Sequence, residues 1–121
     1  MADPLPNLHV EDSGGNGPPV LFSHGLLWDT RLFAPQVAAL GDQYRCIAWD
    51  HRGQGRSPVT AEGYDMDTLA ADAAALIERL GVAPVHYVGL SMGGYVGLRL
   101  AIHRPELLRS HSYILENGPV A

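Results

Sequence analysis

The chain has 121 residues, enough for one domain with a buried core, and its 46% hydrophobic and 17% charged residues are an ordinary globular composition. Net charge is −5 and the eight basic residues are all arginine, scattered along the chain, which excludes a basic stripe for nucleic acid. No apolar run reaches the length of a membrane span, and residues 1–6 lack the charged and apolar regions of a secretion signal. A cytoplasmic location without membrane contact is therefore expected. Cys46 is the single cysteine and reads as a buried thiol.

Residues 8–10 form a weak strand candidate, followed by the turn-rich run from Asp12 to Pro19. The next apolar run, residues 20–22, is expected to be its hairpin partner. That run ends in Ser23-His24-Gly25, which suits a buried strand rising to a tight turn. Leu32, Val37 and Leu40 mark a helix that Pro35 restricts at its start and Gly41 stops. Residues 44–50 form a strand whose centre, Cys46 to Trp49, is apolar on both faces, as in a sheet covered by helices on both sides.

The loop Asp50-His51-Arg52-Gly53-x-Gly55-x-Ser57 has the glycines of a phosphate loop but no lysine, so nucleotide binding is rejected. A helix starts after Asp65, a good N-cap, and carries Leu69, Ala73, Leu76, Ile77 and Leu80 before stopping at Gly81. Residues 85–88 are a strand, and the segment after Ser91 is a helix, apolar nearly all round and expected to be buried, ending near Arg104-Pro105. Residues 112–116 read as a last strand. Strands alternating with helices imply a mostly parallel α/β sheet with helices on both faces.

The stretch Gly89-Leu90-Ser91-Met92-Gly93-Gly94 lies between a strand and a helix. That is the setting a nucleophile elbow needs, with a serine on a tight turn and small residues two before and two after it. The helix start would favour negative charge developing near the Ser91 hydroxyl.

Three motifs, each ending a strand, together resemble the α/β-hydrolase superfamily, nearest to its serine esterases, lactonases and haloperoxidases. They are His24-Gly25, the loop from Asp50 to Ser57, and Gly89-x-Ser91-x-Gly93-Gly94. The resemblance implies a hydrolase of an ester, lactone or related acyl substrate, needing no metal or cofactor and taking a small-molecule partner. Ser91 would be the nucleophile, with the backbone N–H groups of Leu26 and Met92 as the oxyanion hole. His24, Gly25, Gly89 and Gly93 would support the two turns, and Leu27 and Trp28 would line the substrate pocket, unless they are simply core. Asp50 and Arg52 are expected to make structural hydrogen bonds.

In this superfamily the acid and then the histidine of the triad follow the serine along the chain. Residues 1–121 thus resemble the N-terminal part of such a domain, a truncated core without the cap, acid strand and C-terminal histidine segment. His103, twelve residues beyond Ser91, would sit about 18 Å along the helix. His111 is expected before its strand, at the far end of the sheet. His24 is the better stand-in for the base, and Glu116 for the acid. Cut at Ala121, the chain is expected to be unstable or to self-associate through an exposed sheet edge. A catalytically incomplete fragment, or a hydrolase-derived binding module, is the alternative reading.

Overall fold

The computed structural model describes residues 7–114. Its elements are β1 (Val10–Asp12), β2 (Pro19–Ser23), α1 (Ala34–Leu40), β3 (Arg45–Trp49), α2 (Met66–Leu80), β4 (Val85–Leu90), α3 (Met92–His103) and β5 (Leu108–Ile114). The strands form one sheet in the order β1-β3-β2-β4-β5, parallel except for β1.

Alternation along the strands sorts the core into two layers. Leu21, Ile47, Trp49, Val85 and Tyr87 face α2 and α3, packing with Leu69, Ala73, Leu76 and Leu100. Val20, Phe22, Cys46, Ala48 and Leu90 face the other way, toward Phe33, Val37 and Leu40. Helices therefore cover both faces, as the apolar centre of residues 46–49 implied. Local signals set the helix ends. The Asp65 carboxylate accepts the Thr68 N–H, and Gly81 closes α2 in the left-handed region at φ 66°.

Three expectations need correction. The first strand lies at residues 10–12 and pairs antiparallel with β3, Val10 opposite Trp49, instead of forming a hairpin with β2. Both edges of β2 are occupied by parallel neighbours, β3 and β4, so no edge remains for a hairpin. The turn after β1 instead docks on β3, where Ser13 N–H donates to the Cys46 carbonyl at 2.9 Å and Ser13 Oγ accepts the Cys46 N–H at 2.8 Å.

The last strand starts at Leu108, four residues early, and His111 lies within it opposite Tyr87. The polar run Arg109-Ser110-His111-Ser112 hides that strand, which the pairing with β4 creates. Finally, α3 is not buried all round among the described residues. Val96 and Leu100 are buried, but Tyr95, Leu98 and Ile102 are exposed.

The connections place a site. From β2 the chain crosses through α1 to β3 on one side, and from β4 through α3 to β5 on the other. Since β2 and β4 are neighbours, the connections diverge between them and open a crevice at their carboxyl ends. One end carries His24-Gly25 and the other carries Ser91.

Candidate active site

Ser91 caps the start of α3 with φ 50° and ψ −111°, a conformation few side-chain-bearing residues adopt, and it is exposed. Such a backbone costs on the order of 1–3 kcal/mol and persists only where its surroundings enforce it. Here they do. Ser91 N–H donates to the Ile114 carbonyl at 2.7 Å, and the Ser91 carbonyl accepts the Tyr95 N–H at 3.1 Å. A Cβ on Gly89 would lie 2.5 Å from the Gly93 carbonyl, and a Cβ on Gly93 would collide with the Ser23 carbonyl oxygen. Both glycines are steric requirements of the turn.

Facing the elbow is the turn of residues 24–28. The Gly25 carbonyl accepts the Trp28 N–H at 3.1 Å, and Leu27 sits in the left-handed region at φ 67°. A Cβ on Gly25 would be 3.7 Å from Ser91 Cβ and 3.4 Å from the Leu90 carbonyl, so this turn abuts the serine. The demand for glycine is milder here than at Gly93. Among the described residues, neither the Leu26 nor the Met92 N–H has an acceptor. Leu26, Leu27 and Trp28 are exposed beside the crevice, so packing in the core is not their role.

Sequence reasoning missed Gln54, whose Oε1 accepts the Leu27 N–H at 2.8 Å and holds that residue in its unusual conformation. The loop from Asp50 to Ser57 builds the rest of the support. The Asp50 carboxylate accepts the Thr30 N–H at 2.7 Å and the Arg56 N–H at 2.8 Å, and Arg52 pairs with Asp72 on α2. Asp50 and Arg52 therefore make the structural hydrogen bonds expected of them.

His24 cannot serve as a free base in this arrangement. Its Nε2 accepts the His51 backbone N–H at 2.9 Å, so the proton resides on Nδ1, which donates to the Gly25 carbonyl at 2.6 Å. Both ring nitrogens are thus engaged. Burial pushes its pKa below the ordinary imidazole value, against the pull of the Gly25 carbonyl. His51 is more completely enclosed, and burial, helped by His24, holds it far below that value.

Both groups are neutral when folded and would charge near pH 6.5 when unfolded. As pH falls through 6.5 toward the folded values, the unfolded chain binds protons that the folded chain does not, so stability falls. The slope can reach at most about 1.4 kcal/mol per pH unit for each histidine. Depressed carboxylates such as Asp12 act only at lower pH. Chemical denaturation between pH 7 and 5 should show this loss, and His51→Phe should flatten it. An unchanged slope in that variant would move the effect to other groups.

The remaining candidates lie away from the elbow. His103 is exposed at the far end of α3, near Asp67 at 3.7 Å. His111 packs tilted against Tyr87 in mid-sheet, with ring centroids 5.5 Å apart. Glu116 lies outside the described residues. Among those residues no cluster of three histidine, cysteine or acidic side chains could hold a metal, and no helix is long and apolar enough to cross a membrane. A cleft of about 480 Å³ between α2 and α3, lined by Asp67, Ala70, Ala74, Glu78 and His103, includes neither Ser91 nor the 24–28 turn.

A mostly parallel sheet with divergent connections, a strained serine at one strand end and a histidine–glycine turn at its neighbour define the family. The chain belongs to the α/β-hydrolase fold family, which matches residues 18–111. It is 45% identical over 109 residues to a Mycobacterium tuberculosis protein provisionally named non-heme bromoperoxidase BpoC, covering 88% of this chain and 41% of that protein. A thermophilic esterase from Thermogutta terrifontis superposes with a TM-score of 0.78 at 38% identity, over 84% of this chain and 37% of the esterase. The enol-lactonase from Burkholderia xenovorans LB400 gives 0.80 at 34% identity, over 87% and 43%. The chain thus spans about two fifths of the length of the curated relatives it matches.

Proposed function

We propose that this chain carries the nucleophile and oxyanion hole of a serine hydrolase acting on an ester, lactone or related acyl compound. The observation that carries the reading is Ser91, exposed and held at φ 50° where β4 turns into α3. Relatives named as an esterase and an enol-lactonase support the substrate class.

In this reading Ser91 Oγ attacks the acyl carbonyl carbon as a base takes its proton. The carbonyl oxygen becomes an oxyanion facing the Leu26 and Met92 N–H groups, each worth roughly 3 kcal/mol to the transition state. The tetrahedral adduct expels the alcohol, which takes the proton back, and leaves Ser91 acylated. Water then repeats the sequence and releases the acid. With His24 engaged at both nitrogens and His51 buried, the base and its acid partner come from outside residues 7–114. Leu26, Leu27 and Trp28 supply apolar contacts to the acyl or leaving group.

The test is covalent. A fluorophosphonate probe should label the enzyme at one serine, and Ser91→Ala should abolish labelling and lower 4-nitrophenyl acetate hydrolysis by at least about 10³-fold. Residues 1–121 alone should label slowly, since an unassisted serine is a weak nucleophile. Labelling that survives Ser91→Ala assigns the nucleophile elsewhere, and an inert enzyme points to a binding module.

A further inference from the structure

Beneath the elbow lie four polar side chains that the reaction above does not use. Ser23, Trp49, His51 and Tyr87 come from β2, β3, the loop after β3, and β4, and all four are fully buried. Ser23 Oγ is their hub. Trp49 Nε1 lies 3.0 Å from it, His51 Nε2 3.2 Å and the Tyr87 hydroxyl 2.7 Å, while the Tyr87 hydroxyl also lies 2.9 Å from the Gly93 carbonyl.

The protons in this cluster can be assigned by elimination. The Trp49 indole can only donate, so it donates to Ser23 Oγ. A carbonyl can only accept, so the single Tyr87 proton goes to Gly93. Tyr87 must then accept from Ser23, which spends the Ser23 proton. That leaves His51 Nε2 as a donor to Ser23 Oγ, and His51 Nδ1 as a bare acceptor. His51 Nδ1 is indeed buried without a partner. An unpaired acceptor is a milder defect than an unpaired N–H, so this is the arrangement with every proton placed. The protons run one way, from Trp49 and His51 through Ser23 and Tyr87 to Gly93. Such a chain strengthens each of its bonds in a dry interior. Burial also pushes the Tyr87 hydroxyl well above its ordinary pKa, so it remains a donor at any working pH.

We propose that Tyr87, backed by Ser23, Trp49 and His51, is a positioning residue that clamps the first turn of α3 through the Gly93 carbonyl and so aims the Met92 N–H and the Ser91 hydroxyl at the crevice. Gly93 is two residues from Ser91, and an added Cβ there would run into the Ser23 backbone, so its carbonyl lies where a side chain from the sheet can hold that turn. Without the hydroxyl, the peptide between Gly93 and Gly94 can tilt, and the first turn of α3 moves with it, including the Ser91–Met92 peptide whose N–H faces the developing oxyanion. The inference rests on the reading of Ser91 as nucleophile.

The experiment compares Tyr87→Phe, Ser23→Ala and their double variant in the enzyme, with Ser91→Ala as reference. With 4-nitrophenyl acetate, each single variant should lower kcat between about 10-fold and 10²-fold while KM changes less than about twofold. The double variant should be no worse than the worse single one, because both break the same chain. The Met92 and Gly94 amide resonances should shift in Tyr87→Phe. A lowered Tm with unchanged kcat and unmoved amides would make the cluster merely structural and overturn the proposal. If Ser91→Ala retains hydrolysis, the nucleophile reading fails and the clamp's catalytic role falls with it. If Ser91→Ala is dead while Tyr87→Phe and Ser23→Ala turn over normally, only the clamp is refuted.

Discussion

Replacing Gly93 by alanine should lower hydrolysis by about 10²-fold or more, even where the variant still folds. The added methyl would run into the Ser23 carbonyl oxygen and lie 2.7 Å from the His24 carbonyl, both backbone atoms that no rotamer change can withdraw. The start of α3 must then move away from the end of β2, carrying Ser91 away from the 24–28 turn. Overpacking of this kind costs on the order of 1–3 kcal/mol, more than the roughly 1 kcal/mol an alanine gains over glycine in a helix. Gly97→Ala is the control. Its methyl would meet the rings of His111 and Tyr87, side chains that can shift, one turn away from the elbow. It should cost stability and, because it presses on Tyr87, lower kcat by no more than Tyr87→Phe does, short of the loss at Gly93. Equal kcat losses in both variants would show that the helix as a whole, and not the elbow contact, sets the rate.

The second large effect is expected at Arg52. Its Nε and Nη2 donate to the two Asp72 oxygens at 2.8 and 2.7 Å, and both residues are buried. Its Nη1 also donates to the Glu62 carbonyl at 3.1 Å, so one guanidinium ties α2 to two parts of the long β3–α2 connection. Arg52→Ala leaves the Asp72 carboxylate buried without its cation, at about 3–5 kcal/mol. Against a typical domain stability of about 5–15 kcal/mol, that is a large share. Arg52→Lys should recover only part, since an ammonium cannot match both oxygens at once. The decisive comparison is Arg52→Ala with Asp72→Ala. If the double variant is more stable than Arg52→Ala alone, the stranded charge is the cause. If it is less stable, the loss lies in the packing of the connection.

Much of this was legible in the residues because the signals were local. Asp65 and Gly81 bound α2, Pro35 starts α1, and the elbow spacing requires Gly89 and Gly93, all through contacts within a few residues. What stayed hidden depends on distant partners. The pairing of β1 with β3 follows from the lack of a free edge on β2, which no window around residues 8–22 can reveal. The polar half of β5 is a strand only because β4 lies beside it. Trp49 and Tyr87 read as apolar core, and their hydrogen-bonding atoms meet Ser23 only once three strands are side by side. One clue was available. Asp72 stands on the same helical face as Leu69, Ala73 and Leu76, and a carboxylate there requires a buried cation. Gln54 offered no such clue.

The 24–28 turn also separates two kinds of heritable change. Its proposed catalytic contribution is a main-chain N–H, which any residue but proline can supply at position 26. Past the buried His24, its side chains point outward, with Leu26 63% and Leu27 86% exposed. Leu26 and Trp28 can therefore be exchanged in a library without disturbing the groups that stabilise charge, and Gln54 guards the backbone while they vary. If these side chains contact substrate as proposed, selection at these positions would retune substrate preference in single steps.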